Sequence, residues 1–196
     1  MELPVYTLTI SDDEKDNAEV NFVSLVETPA IERNFLAFRN QQLFAIQDED
    51  QRIVSGPAMV PDMPIFRSDE NGQYYVVFDA AAIGKIAYRF FKKGYQANIN
   101  TNHSPDALVV DSVFFESWLV DREKGKAPMK GFEDLPDGTW FLTAKINSPD
   151  TWTKIKSGEY KGFSVEGLFE YTRVAKVDPE RALLEQVKEI LDQIED

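Results

Sequence analysis

The stretch TWFLTAKINSPDTWTKIKSGEYKGFSVEGLFEYT, residues 139–172, sets the pattern of the fold. It begins with an apolar run over 139–146, which predicts a β-strand. The segment Ser148-Pro149-Asp150 predicts a helix start, with a serine N-cap, proline in the first helical position and an acid in the first turn. Gly158 predicts the end of this short helix, and residues 163–172 predict another strand.

The rest of the chain shows the same mixture of short apolar runs and amphipathic helices. Strands are predicted at 5–10, 20–26, 43–46, 52–60, 74–78 and 108–120. Asp79 predicts the N-cap of a helix over 80–93 that ends at Gly94, and a last helix carries an apolar stripe from Pro179 to Ile194. The pattern predicts an α+β fold: a mainly antiparallel, barrel-like sheet with about three flanking helices.

Composition excludes several classes of protein. The 196 residues carry a formal net charge of −13, which disfavours binding to nucleic-acid phosphates and to anionic membrane surfaces. The absence of cysteine excludes disulfides and cysteine-based zinc sites. No apolar stretch reaches the length of a membrane span, and the N-terminal residues lack the basic and apolar regions of a secretory signal peptide.

One imidazole and no thiol narrow the possible chemistry. His103 is the only histidine, and histidine alone has an unperturbed pKa near neutral pH. If the protein carries out acyl transfer, His103 is therefore the expected general base and the nucleophile is an oxygen. Ser164 is the candidate nucleophile, although its Gly-Phe-Ser-Val context differs from the Gly-x-Ser-x-Gly elbow of α/β-hydrolases.

Several segments together resemble the XkdF-like serine proteases of tailed phages, over about residues 18–172. These are grouped with the prohead, or capsid maturation, proteases, which share a fold with herpesvirus assemblins. The resemblance is carried, in this order, by FVSLVETPAI (22–31), RIVSGPAMVP (52–61), NHS (102–104), VFFESWLV (113–120) and WTKIKSGEYKGFSVEG (152–167).

The resemblance implies a serine endopeptidase. From the composition, with one histidine and no cysteine, we expect no cofactor and no metal. The resemblance further implies that the substrates are the scaffold and major capsid proteins, and also the protease itself. The place of cleavage would be the assembling prohead in the host bacterial cytoplasm. It also implies a herpesvirus-protease-like fold and a possible homodimer.

The family pattern assigns the base to His103 and the nucleophile to Ser164. Family triads complete the site with a histidine or an acid, and this chain has no second histidine. We favour Glu116, a carboxylate that interrupts an apolar run, as the third member. Glu166 is the alternative, because a residue two positions after Ser164 on a strand shares its face. The glycine-containing loop 121–138 is expected to supply backbone N–H groups to the oxyanion.

These assignments divide the chain into a protease domain, residues 1–177, and a C-terminal helix in 178–196. The domain includes the extended segments at 1–47. The terminal helix is expected to pack on its own domain or on a second copy. A non-enzymatic phage head protein that kept the fold, structural or scaffold-associated, is the alternative function. An amidase or esterase that uses the same three residues is a further one.

Overall fold

Twelve strands and two α-helices form the part of the chain that the computed structural model describes, residues 3–11, 18–27, 44–70 and 72–173. The strands are β1 (Val5–Thr9), β2 (Val20–Val26), β3 (Ala45–Asp48), β4 (Ile53–Met59), β5 (Ile65–Asp69), β6 (Gly72–Val77), β7 (Ile99–Thr101), β8 (Ser104–Leu108), β9 (Ser112–Leu119), β10 (Trp140–Ile146), β11 (Gly162–Gly167) and β12 (Glu170–Arg173). The helices are α1 (Ala80–Lys92) and α2 (Pro149–Lys156).

The strands form three four-stranded sheets. The first has the order β12-β1-β6-β5, the second β3-β4-β10-β9 and the third β11-β2-β7-β8. Pairing is antiparallel except between β1 and β6 and between β2 and β7. The mainly antiparallel α+β fold is therefore confirmed. The described strands form open sheets and not the predicted barrel, and the predicted helix from Pro179 to Ile194 lies outside the described residues.

Both helices begin and end as their local sequence predicts. The carboxylate of Asp79 accepts a hydrogen bond from the Ala82 amide at 2.6 Å, and Gly94 has a left-handed φ of 79° just after the end of α1. Ser148 caps α2 and Pro149 occupies its first turn. In the described part of the chain, neither helix is long and apolar enough to cross a membrane.

A chain of aromatic contacts joins α1 to two of the sheets. Phe90 of α1 lies edge-on to Trp140 at 5.6 Å between ring centroids and to Phe114 at 6.3 Å. Phe114 in turn lies 5.3 Å from Phe163, the residue before Ser164. All four rings are almost completely buried. This packing fixes β11, and with it Ser164, against the core of the protein.

The strand predicted over 163–172 is two strands in two different sheets. Strand β11 pairs with β2 in the third sheet, whereas β12 pairs with β1 in the first. The chain changes sheet just after Gly167, which passes very close to the backbone of β2. A Cβ atom at Gly167 would lie 2.1 Å from the carbonyl oxygen of Glu19, so only glycine fits there.

The predicted strand over 108–120 also changes sheet. Strand β8 ends at Leu108 in the third sheet, and β9 begins at Ser112 as an edge strand of the second. Asp111 between them has a φ of 56°, in the left-handed region. Strands β5 and β7 were not predicted, since β5 follows a proline-containing segment and β7 has only three residues.

Replacing Gly167 with alanine is expected to lower the free energy of unfolding by about 1–3 kcal/mol, because the new methyl group overlaps the β2 backbone. Gly84 is the matched control. In the middle of α1 its added Cβ would meet only a Leu119 methyl group at 3.6 Å, so Gly84→Ala should raise stability by about 0.5–1 kcal/mol. Urea denaturation of both variants tests this, and equal effects at the two positions would contradict it.

Candidate functional site

A row of three polar side chains crosses the third sheet and forms the base of the site. Ser164 on β11 stands opposite Ser24 on β2, and Ser24 stands opposite Asn100 on β7. Ser24 and Asn100 are completely enclosed, with 0% and 1% of their surface exposed, whereas Ser164 is 8% exposed and lines a cavity. Of the two serines, Ser164 is therefore the one that a substrate can reach.

A two-residue turn between β7 and β8 holds His103 above this row. Both turn residues have a positive φ, 49° at Asn102 and 57° at His103, as in type I′ hairpin turns. Asn102 is fixed to the end of β2: its Oδ1 accepts from the Glu27 amide at 3.2 Å and its Nδ2 donates to Glu27 Oε1 at 2.9 Å. Its own amide donates to the Leu25 carbonyl. The turn thus ties the position of the imidazole to β2.

The two ring nitrogens of His103 have different partners. Nε2 lies 3.1 Å from Ser164 Oγ, and Nδ1 lies 3.2 Å from Glu166 Oε1. This places a hydroxyl, an imidazole and a carboxylate in a line, the order in which a base can take the hydroxyl proton while the acid orients the ring. The predicted proximity of Ser164 and His103 is found, and their catalytic role remains a prediction.

The predicted position of Glu116 beside His103 is wrong. Glu116 lies exposed on β9, in the second sheet, and accepts a hydrogen bond from Thr143 Oγ1 at 2.6 Å. The prediction failed because the chain changes sheet between β8 and β9. Glu166, the alternative, occupies the place beside His103, because alternation along β11 puts it on the same face as Ser164.

Two neighbouring side chains, Ser24 and Asn100, hold the Glu166 carboxylate. Glu166 Oε1 accepts hydrogen bonds from Ser24 Oγ at 2.5 Å and from Asn100 Nδ2 at 2.6 Å. Ser24 Oγ also lies within hydrogen-bonding reach of Asn100 Oδ1, and its single proton serves one of these two acceptors at a time. Ser24 Oγ accepts from the His103 amide at 3.3 Å and lies 3.2 Å from His103 Nδ1. Ser24 therefore contacts both partners of the predicted acid–imidazole pair.

The carboxylate of Glu166 is held in its ionised form. Burial raises the pKa of Glu166, but the hydrogen bonds from Ser24 and Asn100, together with the neighbouring His103, outweigh burial and place the pKa below its ordinary value. An ionised Glu166 can accept a hydrogen bond from Nδ1–H of His103, which favours the tautomer with Nε2 unprotonated and facing Ser164.

The sequence alone gave Ser24 and Asn100 no role. The signal that marks them is a polar residue inside an apolar strand: Ser24 lies between Val23 and Leu25, and Asn100 follows Ile99. What the sequence does not show is that β2 lies between β11 and β7, which is the pairing that brings the two residues to Glu166.

The site opens into a cavity of about 510 Å³. Ser164, His103 and Glu166 lie on one side of it, and most of the remaining lining is apolar. No residue of the loop 121–138 is among the residues that line this cavity. Leu135 of that loop packs against Val60 and Met63. Among the described residues, no group of three or more histidine, aspartate or glutamate side chains is placed to hold a metal ion.

Replacing Glu166 with glutamine should reduce the loss of stability in acid. A carboxyl with a lowered folded-state pKa stabilises the fold above its unfolded pKa, near 4.5, and loses that contribution as pH falls through the folded value. The stability difference between wild type and Glu166→Gln is therefore expected to shrink as pH falls from 7 to about 3.

Urea denaturation at a series of pH values measures this difference. Ser24→Ala removes one of the hydrogen-bond donors to Glu166, so it should weaken the same pH-dependent contribution without abolishing it. A wild-type minus Glu166→Gln difference that stays constant from pH 7 to pH 3 would contradict the expectation.

Comparison with known proteins relates the chain to one family and to a Bacillus protein. Residues 40–173 match the family described as "Putative phage serine protease XkdF". The uncharacterized protein YqbD of Bacillus subtilis (strain 168) is 28% identical over 163 residues, which are 79% of this chain and 46% of that relative, so the chain spans about half of its length. No solved structure matches the chain. Because the family match covers more than half of the sequence, the chain belongs to this XkdF family.

Proposed function

We propose that the chain is a serine endopeptidase in which Ser164 is the nucleophile, His103 the general base and acid, and Glu166 the residue that orients and stabilises the imidazole. The observation that carries the proposal is the line of contacts from Ser164 Oγ through both ring nitrogens of His103 to Glu166 Oε1. Both contacts are short enough for hydrogen bonds. Ser164 and His103, which form the first of them, line the cavity.

The reaction would proceed through an acyl-enzyme. Ser164 Oγ attacks the carbonyl carbon of the scissile peptide bond while its proton moves to Nε2 of His103. The C–N bond then breaks, and the same proton is returned to the leaving amine. A water molecule, deprotonated by His103, attacks the ester and releases the acid product and Ser164. Throughout, the carboxylate of Glu166 stabilises the imidazolium through Nδ1–H.

The substrates we propose are the scaffold and major capsid proteins of the phage, and the protease itself, cleaved inside the assembling prohead in the host cytoplasm. The support is the resemblance of the chain to prohead proteases and its membership of a phage serine protease family. A homodimer would provide a way to control the proteolytic activity. If the site formed only in the dimer, the protein would become active only at the high concentration reached inside a prohead.

A fluorophosphonate probe should label wild-type protein at Ser164, and Ser164→Ala should abolish that labelling. His103→Ala is expected to slow it by at least about 100-fold, because the hydroxyl then lacks its base. Ser157→Ala, which removes an exposed hydroxyl at the end of α2, serves as the control and should label like wild type. Peptide mapping by mass spectrometry locates the label.

Glutamine variants of Glu166 and Glu116 test which glutamate is the acid of the proposed triad. Glu166→Gln should slow labelling by a factor on the order of 10⁴, the effect known for the amide of a triad acid, because the ring loses its preferred tautomer. Glu116→Gln should stay within about twofold of wild type, since Glu116 contacts Thr143 and not His103.

Labelling that is absent in a folded wild-type protein would favour the non-enzymatic head protein. Cleavage of esters without cleavage of peptides would favour an esterase.

Co-expression with the phage capsid and scaffold genes tests the proposed substrates. We expect intact-mass spectrometry to find shortened capsid and scaffold chains with the wild-type protein and full-length chains with Ser164→Ala. Full-length chains in both samples, from a protein whose Ser164 is labelled, would show that the substrates lie elsewhere.

A further inference from the structure

The cavity beside Ser164 has a mostly apolar lining. Its apolar lining includes Met59 and Met63 near the end of β4, Ile65 of β5, and Phe169 and Tyr171 at β12. The described polar side chains in the lining are those of Ser164, His103, Glu166 and Arg67, besides the Tyr171 hydroxyl. Arg67 also donates a hydrogen bond to the carbonyl of Phe66. At about 510 Å³ the cavity falls within the range of ligand-binding pockets.

We propose that this cavity is a specificity subsite that takes a large apolar side chain of the substrate, from a residue adjoining the scissile bond. The inference rests on the proposed peptidase function. Ser164 is itself part of the cavity lining, so a carbonyl group placed for attack by Ser164 Oγ lies at the cavity wall. Successive Cα atoms are only 3.8 Å apart, and the neighbouring side chain therefore has this cavity within its reach.

The chemistry of the lining selects the kind of side chain. An apolar side chain that enters the cavity leaves water for a mostly apolar surrounding, which is favourable. A charged one loses its hydration and meets a lining that holds charges of both signs, Glu166 and the exposed Arg67. One methylene group more or less in an apolar pocket changes kcat/KM by about 10–200-fold. We therefore expect leucine, methionine or phenylalanine at the substrate position to be preferred over glycine and aspartate.

The two methionines suggest that the subsite is adaptable. Met59 and Met63 are 4% and 9% exposed, and methionine is unbranched with a polarisable sulfur that adjusts to different shapes. The preference should therefore extend over large apolar side chains as a class and not single out one of them.

Methionine methyl NMR tests the subsite directly. The chain has four methionines, of which Met59 and Met63 line the cavity and Met129 does not. In Ser164→Ala protein carrying ¹³C-methyl methionine, N-acetyl-leucine amide is expected to shift the Met59 and Met63 methyl signals saturably and to leave Met129 in place. N-acetyl-aspartate amide and N-acetyl-glycine amide should need at least about tenfold higher concentrations. Equal responses to the leucine and aspartate compounds, or no response at Met59 and Met63, would overturn the proposal.

A charge placed in the cavity provides the second test. Ile65 and Ser68 lie on the same edge strand, and alternation puts Ile65 on the face that lines the cavity and Ser68 on the opposite face. Ile65→Asp is expected to weaken binding of N-acetyl-leucine amide at least tenfold, and Ser68→Asp, with the same charge change, to leave it unaltered. Equal binding by the two variants, with circular dichroism showing both folded, would contradict the subsite.

Failure of the subsite and failure of the peptidase give different results. The NMR titration uses a protein without the nucleophile, so it reports on the cavity alone. Labelling of wild-type Ser164 by diphenyl phosphonates with leucine-like and aspartate-like side chains reports on both. Labelling at equal rates would remove the subsite and keep the nucleophile. Shifts at Met59 and Met63 without any labelling would show that the cavity binds apolar side chains but would remove the peptidase, and with it the role of the cavity as a substrate subsite.

Discussion

Strand β2 is the element on which the geometry of the site depends, because it pairs with β11 on one side and with β7 on the other. One register places Ser24 opposite both Ser164 and Asn100, so the proposed nucleophile and the support of the Glu166 carboxylate are set together. A slip of one residue would turn Ser24 to the other face of the sheet. Val23 and Leu25, both completely buried, oppose such a slip by their packing.

The second sheet carries a similar row of polar side chains, and comparing it with the row beneath His103 shows the importance of the imidazole. Ser55, Thr143 and Glu116 stand on adjacent strands, with Ser55 Oγ 2.8 Å from Thr143 Oγ1 and Thr143 donating to Glu116. This row also contains a serine and a carboxylate, but it has no imidazole, and therefore no group that takes up a hydroxyl proton near neutral pH. The turn that carries His103 is what makes the row on the third sheet suited to nucleophilic chemistry.

The sequence predicts most clearly those features that depend on neighbouring residues. The caps of α1 and α2, the bounds of β2 and the shared face of Ser164 and Glu166 all follow from local patterns. The wrong prediction for Glu116 has a different origin. The chain changes sheet between β8 and β9, and the hydrophobic pattern of the sequence does not indicate this change. The parts played by Ser24 and Asn100 depend on pairing between distant segments, which a single sequence does not show.

The short segment from Ser164 to Tyr171 links the proposed chemistry to the proposed specificity. Within it, β11 carries the proposed nucleophile and acid in the third sheet, and the residues after Gly167 carry Phe169 and Tyr171 toward the first sheet, where both line the cavity. The change of sheet requires a residue without a side chain beside the Glu19 carbonyl. Glu166 directly precedes that residue and Phe169 follows it by two positions. The close approach of Gly167 to β2 therefore positions the carboxylate beside His103 and part of the cavity lining together.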